Sequence, residues 1–325
     1  MGRILGRYLL RFALLLALGS LAIFGLLRVV PGNPAEVALG VTATEDAVAE
    51  LSAQMGTDRP LPEQYARWVM GMLRGDFGAS LSSGQPIGPL LLDRGAVSLI
   101  LCGCALALSL GIAVLLGLAS TRRPWGGIIA ALSQVGIAVP SFLAAIALVA
   151  VFSLRLGWFP ANGWVPPGQD VTGFFSRLVL PVLALTAVQA AILTRYVRSA
   201  LLEVMHQDFL RTAYATGQSR ARALLDHGLR NAAVPVLTVT GLQLTSLIVG
   251  AVVIEKIFVI PGLGSLLLTA VNSRDLLMVQ AIVMVLVLFV LLVNLAVDVT
   301  IVLIDPRLRA TRGVIGETPP EGTPA

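Results

Sequence analysis

The chain has 325 residues, of which 56% are hydrophobic and only 13% charged, with a mean hydropathy of +0.87. A soluble domain carries about 25% charged residues, so this composition excludes a soluble globule and fits a polytopic membrane protein. The net charge of +5 is spread over short connections and not gathered on one face, which disfavours nucleic acid as a partner and fits the positive-inside rule.

The first element is an apolar run, Leu9–Val30, behind a basic start carrying Arg3, Arg7 and Arg11. It exceeds a signal-peptide core of roughly 7–15 residues and lacks a small-x-small cleavage site, so it reads as a retained first span. The segment Pro31–Gly95 is far longer than a connection needs. Within it, Thr44 precedes acidic residues and an amphipathic stretch to Met55, the pattern of an N-capped helix. Pro62–Leu73 predicts a second helix ending at Arg74-Gly75. The two form a small external subdomain.

Five more segments are long enough to approach the ~20 apolar residues a bilayer demands: Ala96–Ala119, Ile128–Phe152, Leu178–Thr194, Val234–Ile254 and Leu277–Ile304. In the second span Gly103, Ala107 and Gly111, with Ala113 and Gly117, make small-residue rows suited to close helix approach. Pro140 predicts a kink in the third span. The fourth is short and carries Pro181 and Gln189. The connection Arg155–Arg177 has no clear period and reads as irregular. With the N-terminus inside, the inner segments hold 14 basic and six acidic residues against nine and eleven outside, leaving Asp298 within a span. Both termini are then expected to be cytoplasmic. The expected architecture is an all-α membrane protein with six transmembrane helices.

Candidate chemistry is sparse. Cys102 and Cys104 lie two apart in an apolar run, point in different directions on a helix, and read as packing residues. His206 and His227 lack partners at metal-ligand spacing, so no metal, cofactor or catalytic residue is expected. One lysine, Lys256, is present, preceded by Glu255 and without the glycines of a phosphate-binding loop. Any ATP driving this protein is therefore bound by another subunit. Gln134, Gln189, Gln243, Asn294 and Asp298 are the polar residues of the spans. Asn294 and Asp298 share one helix face, and a packing contact is preferred there over a proton relay.

The segment between the fourth and fifth spans is unusually rich in arginine: Asp208-Phe-Leu-Arg-Thr-Ala-Tyr-Ala-Thr-Gly217, then Ser219-Arg220 and on to Pro235. Gly217 relieves a turn, and Ser219 is placed to cap a second helical stretch. Phe209, Leu210, Ala213 and Tyr214 on the first stretch, and Ala221, Leu224 and Leu225 on the second, mix with basic residues. That mixture suits docking into a partner's groove or lying on anionic lipid; composition alone leaves both open.

Motifs along nearly the whole chain settle the choice by resemblance. Val30-Pro-Gly-Asn-Pro34, Gly75-Asp-Phe-Gly-Ala-Ser80, Val139-Pro-Ser-Phe142, Leu156-Gly-Trp-Phe-Pro160 and Gln207-Asp-Phe-Leu-Arg-Thr-Ala213 occur in order. His227-Gly-Leu-Arg-Asn-Ala232, Glu255-Lys-Ile-Phe258, Pro261-Gly-Leu-Gly264, Arg274-Asp275 and Asp305-Pro-Arg307 continue the series. The chain resembles the first permease subunit of the dipeptide, oligopeptide and nickel ABC importers. Asn33, Tyr214 and Thr216 depart from the family's usual residues. The resemblance implies a second homologous permease, two cytoplasmic ATP-binding subunits and an external substrate-binding protein as partners. It also implies that Asp208, Phe209, Arg211, Thr212, Ala213, Tyr214, Gly217, Ser219 and Arg220 couple the permease to the ATPase. The division expected is 1–95 for the first span and external subdomain, 96–309 for the transmembrane domain with its coupling loop at 195–234, and 310–325 for a disordered tail. Peptides are the implied cargo, with nickel chelates, glutathione or another small solute as alternatives. A secondary transporter needs ionisable groups at mid-membrane, and Asp298 lies too near the cytoplasmic side.

Overall fold

The apolar runs become helices in the computed structural model, which describes residues 2–29, 34–39, 44–122 and 124–304. The expectations for Pro31–Asn33, Arg123 and the tail lie outside those residues. No strand is present among the described residues, only one isolated bridge between Ala79 and Pro86.

Helix α1, Gly2–Val29, is the first span. A short α2, Pro34–Leu39, had no clear sequence signal. The helix α3, Glu45–Met55, starts where Thr44 Oγ1 accepts from the Ala47 amide at 3.3 Å and stops at Gly56, whose φ of +67° suits a residue without a Cβ. Helix α4, Leu61–Leu73, takes proline in its first turn and ends at Arg74. It folds back on α1, where the Tyr65 and Ser20 hydroxyls lie 2.7 Å apart and Phe24 meets both Tyr65 and Trp68.

The α5 helix, Ile87–Ser120, is 34 residues long and, past Asp93 and Arg94 near its start, apolar on all sides, as expected of a span buried in lipid and protein. At about 1.5 Å per residue it exceeds the ~30 Å hydrocarbon thickness. The third span is broken. Helix α6, Trp125–Ala138, and helix α7, Ser141–Leu148, the latter continued by a π-helical stretch Val149–Arg155, meet at 98°. Proline at 140 has no N–H to give and pushes Val139 to an extended conformation, so the expected kink is a near right angle.

The fourth span is longer than the hydropathy suggests. The α8 helix, Val171–Val204, runs 34 residues, passes through Pro181 without a break, and takes in the end of the connection expected to be irregular. Helix α9, Asp208–Ala215, and helix α10, Arg220–Ala223, follow. A π-helical turn, Leu224–Gly228, leads straight into α11, Leu229–Ile257. Helix α12, Leu263–Asn272, lies in what the sequence presents as a loop, and α13, Leu276–Ile304, is the last span. Five uninterrupted helices and the bent pair α6–α7 supply the six spans.

The bundle is built around α8, half of whose apolar window is buried, against 11% for peripheral α1. Its middle meets α5, α7 and α11 in a core that includes Leu101, Leu180, Leu185, Leu247 and Ile254. Close approach of α5 to α8 occurs at Gly117, where Val197 fills the space a Cβ would need. Gly103 and Gly111, expected to share that duty, have open space beside them. Asn294 packs on α11: a Cβ at Gly241 would lie 3.0 Å from its Oδ1, the packing role the sequence favoured.

Candidate functional site

The Arg-rich segment forms one end of the bundle. Helix α9 carries an inner and an outer face. Leu210 is fully buried and Ala213 is 8% exposed, both in a cluster with Val197, Leu201 and Val204 of α8 and Ala232 and Val236 of α11. Phe209 is 37% exposed, and Asp208 and Arg211 face solvent, 3.5 Å apart. Thr212 is exposed and turns its hydroxyl back to the Asp208 carbonyl at 3.1 Å. Tyr214 is half-buried against the same cluster, and its hydroxyl has no hydrogen-bond partner among the described residues.

The turn after α9 follows from a single glycine. Gly217 adopts φ +88°, and its amide donates to the Tyr214 carbonyl at 3.0 Å while the Gln218 amide reaches the Ala213 carbonyl at 3.1 Å. These are the two bonds that close a helix on a left-handed residue. Ser219 then accepts from the Arg222 amide at 3.4 Å, a long N-terminal cap for α10. The side chains of Arg220 and Ala221 lie outside the described residues. Asp208, Phe209, Arg211, Thr212 and Ser219 thus share an exposed surface, to which the apolar Leu225 adds. Ala213, grouped in the sequence with the docking residues, instead anchors α9 from beneath, as Leu210 and Leu224 do.

The histidines play no part in a cluster. His206 Nδ1 lies 2.7 Å from the Leu202 carbonyl of its own helix, and no group of three metal-ligating side chains exists among the described residues.

At the opposite end two buried carboxylates hold the fold. Glu255, 1% exposed, lies on α11 one residue beyond the span the hydropathy marks out, and helix continues past it to Ile257. Asp298 is therefore not the one ionisable residue on the spanning helices. Glu255 accepts from Ser98 Oγ at 2.6 Å and from the Ser265 amide at 2.9 Å, while the Leu263 amide donates to Ser98 Oγ at 2.8 Å. The first amides of α12 thus end on a carboxylate and a hydroxyl from two other helices. A helix N-terminus leaves its amides unpaired and carries partial positive charge, so a carboxylate satisfies both. Gly262 and Gly264 make room: a Cβ on Gly262 would collide with the Glu255 carboxylate, and one on Gly264 would lie 2.6 Å from Val252 Cα.

Asp275, also 1% exposed, caps α13 through the Met278 amide at 3.1 Å and accepts from Ser80 Oγ at 2.5 Å and Ser82 Oγ at 3.3 Å. Beside each carboxylate stands a non-glycine residue in the left-handed region, Val259 at φ 53° and Arg274 at φ 54°. The Ile260 amide, next to Val259, is tied to the Glu255 carbonyl at 2.8 Å. In the sequence Glu255, Arg274 and Asp275 stand in motifs to which no role attaches. The available signal was a carboxylate adjoining an apolar span with a Gly-x-Gly a few residues on.

Comparison with known proteins gives the arrangement its context. A family model described as the binding-protein-dependent transport system inner membrane component matches residues 109–310, and one for the N-terminal part of such membrane components matches residues 1–91. A probable peptide ABC transporter permease protein, y4tP, of Sinorhizobium fredii is 36% identical over 95% of this chain and 100% of its own length. A putative peptide permease protein of Brucella suis is 36% identical over 94% of this chain and 98% of that protein. The oligopeptide transport system permease protein AppB of Bacillus subtilis is 34% identical over the same shares.

Proposed function

Because the chain belongs to the family of inner-membrane components of binding-protein-dependent transport systems, we propose that residues 208–220 are where this permease is driven. The chain is a multi-pass membrane transport subunit of an ABC importer and not itself an enzyme. The partners we assign are a second homologous permease, two ATP-binding subunits touching α9, and a substrate-binding protein on the far side. Both termini and α9 then lie on the cytoplasmic side, as the charge distribution favours. Residues 1–95 are taken as the first span with the external subdomain, and residues 96–309 as the transmembrane domain. We assign peptides as the cargo, in keeping with the names of the relatives.

The observation carrying this reading is the two-faced α9: Leu210 and Ala213 are buried in one cluster with residues of α8, the π-helical turn and α11, while Asp208, Phe209, Arg211 and Thr212 face outward. A helix gripped from outside and packed on two spans passes displacement to those spans as a rigid element. Nucleotide binding and hydrolysis in the partners then bias two arrangements of the bundle, inward- and outward-facing. Nothing in the chain binds nucleotide through a phosphate loop.

Gly217→Val tests it. The residue has open space around its Cβ position, so the substitution acts through the backbone alone, at about 1–2 kcal/mol for a left-handed non-glycine residue. The expected outcome, in proteoliposomes holding the whole complex, is ATP hydrolysis that persists while peptide uptake falls at least tenfold. Uptake at the unmodified level would count against the reading. Phe209→Ala, at a surface position, is expected to weaken co-purification of the ATP-binding subunits with the permease intact.

A further inference from the structure

A cavity of about 600 Å³ lies between the end of α1, the α3–α4 pair, the loop 76–81 and the first turn of α13. None of the coupling machinery reaches it. Its wall mixes apolar and charged groups. Arg28 stacks its guanidinium 5.1 Å from the Phe24 ring centre and has no carboxylate within 4 Å among the described residues. Arg67, on α4, has only Glu63 at 3.3 Å, and that carboxylate is already engaged by Arg59 at 2.7 Å. The Arg59 hydrogen bond holds Glu63 below its ordinary pKa, so it stays ionised. Asp76 contributes an exposed carboxylate, one oxygen of which accepts from the Gly78 amide at 2.9 Å.

Two glutamines in the wall complete the chemistry. Gln64 is 8% exposed and Gln280 is 6% exposed. The Gln64 amide donates to the carbonyls of Thr57 and Arg59, leaving its oxygen without a partner among the described residues, and the Gln280 Nε2 has none among them either. A buried polar group without a partner is uncommon and calls for an explanation. The wall therefore offers two guanidinium groups and an amide as donors, with a carboxylate and an amide oxygen as acceptors.

The position selects the ligand. Helix α1 packs chiefly on α13 and α4, and only 11% of its apolar window is buried. The rest of α1 is uncovered and apolar, as a lipid-facing helix is, and Arg28 sits at the end of its span. The cavity is thus at the bundle's rim, at the depth where acyl chains give way to headgroups, and away from α8 at the centre. Arginine forks match phosphate oxygens, and basic pockets beside spans hold lipid headgroups.

We propose that this cavity holds a phosphoethanolamine headgroup, with the phosphate on Arg28 and Arg67, the ammonium on Asp76, and the acyl chains along the exposed face of α1. A lipid clasped there ties the first span to α4 and to the start of α13. Asp76 gives the ammonium an ion-pair partner that the uncharged glycerol of an anionic headgroup cannot use.

The test is native mass spectrometry of the whole transporter complex, delipidated and titrated with phosphatidylethanolamine or phosphatidylglycerol. Wild type should retain phosphatidylethanolamine in preference. Arg28→Gln with Arg67→Gln should lower retention roughly tenfold or more, the scale of losing charge-assisted hydrogen bonds. Asp76→Asn should erase the preference between the two lipids. Arg74→Gln, at an exposed cation that does not line the cavity, should change nothing, and intact complex mass confirms that each variant assembles. Equal retention of both lipids by wild type, or unchanged retention in the double variant, overturns the proposal. So does displacement by soluble glycerophosphoethanolamine, which moves the source from bilayer to solution, or by a dipeptide, which makes the cavity a cargo site.

Discussion

The two ends of this permease are held by different forces. At the α12 end, Glu255 and Asp275 accept hydrogen bonds from residues 157 and 195 positions away in sequence, and both are 1% exposed. At the α9 end, Leu210, Ala213 and Leu224 pack against aliphatic side chains, and the ion pairs Asp208–Arg211 and Arg222–Asp226 lie in solvent at 3.5 and 3.7 Å. Hydrogen bonds to a buried carboxyl group are directional, and removing it leaves each buried donor unpaired at about 1–3 kcal/mol, whereas exposed ion pairs contribute roughly 0–1 kcal/mol. Apolar packing has no direction, so α9 and the helix ends it packs with can shift together while keeping most of their burial. The first end is built to stay, and the second is built to be pushed.

The largest effect should come from removing the carboxylate of the fixed end. Glu255→Leu orphans the Ser265 amide and the Ser98 hydroxyl in a buried place, and is expected to destabilise by about 3 kcal/mol or more. Thermal unfolding of the detergent-solubilised complex reads it. Gly262→Ala should give a comparable loss, since its methyl group displaces the same carboxylate. The double variant should lose far less than the two losses added, because both act on one contact. Additive losses would break the picture of a single knot. Asp275→Ala ranks next at about 2 kcal/mol, combining a lost N-cap with the Ser80 hydrogen bond. An effect no larger than that of Asp208→Ala, at an exposed ion pair, would erase the contrast between the ends.

Sequence and structure part at the same boundary. Hydropathy located the spans because bilayer thickness sets a length that composition must meet, and Thr44, Pro62, Gly217 and Ser219 marked helix ends because caps are local chemistry. The outward face of α9 was legible in kind: Asp208, Phe209, Arg211 and Thr212 are exposed. Which apolar residues face inward was not, since Leu210 and Ala213 are assigned by contacts with α8 and α11 and not by spacing alone. Glu255 escaped because its partners come from Ser98 and Ser265, and no periodicity announces a pairing across 157 residues. Helix α12 escaped for the same reason, since its N-terminus is capped by another helix. Pro181 and Pro140 look alike in sequence, yet one is carried within α8 and the other breaks its span.

Strain sharpens the contrast on a smaller scale. Val259 is β-branched, 63% exposed, and at φ 53°, a conformation costing about 1–2 kcal/mol for an L-residue. The Ile260 amide's bond to the Glu255 main-chain carbonyl helps keep it there, and the Glu255 carboxylate pins the residues that follow through the Ser265 amide. Val259→Gly removes that strain at the expense of a more flexible unfolded chain, for an expected net gain of up to about 1 kcal/mol. In a Glu255→Leu background the gain should shrink, because the turn is then free to relax by itself. A full gain there would mean that the carboxylate does not hold the turn.

The smallest effect expected is at the movable end. Ser219→Ala deletes a cap whose hydrogen bond is long, 3.4 Å, and exposed, so about 0.5 kcal/mol is at stake, the low end for such residues. Global unfolding will hardly register it, but backbone hydrogen exchange will, since local openings are read amide by amide. The Arg222 amide should exchange faster, while the Ser265 amide under Glu255 stays protected. If Ser219→Ala also unprotected Ser265, the two ends would be one cooperative unit. A push on α9 would then loosen the far side of the bundle directly, without the spans moving as levers between them.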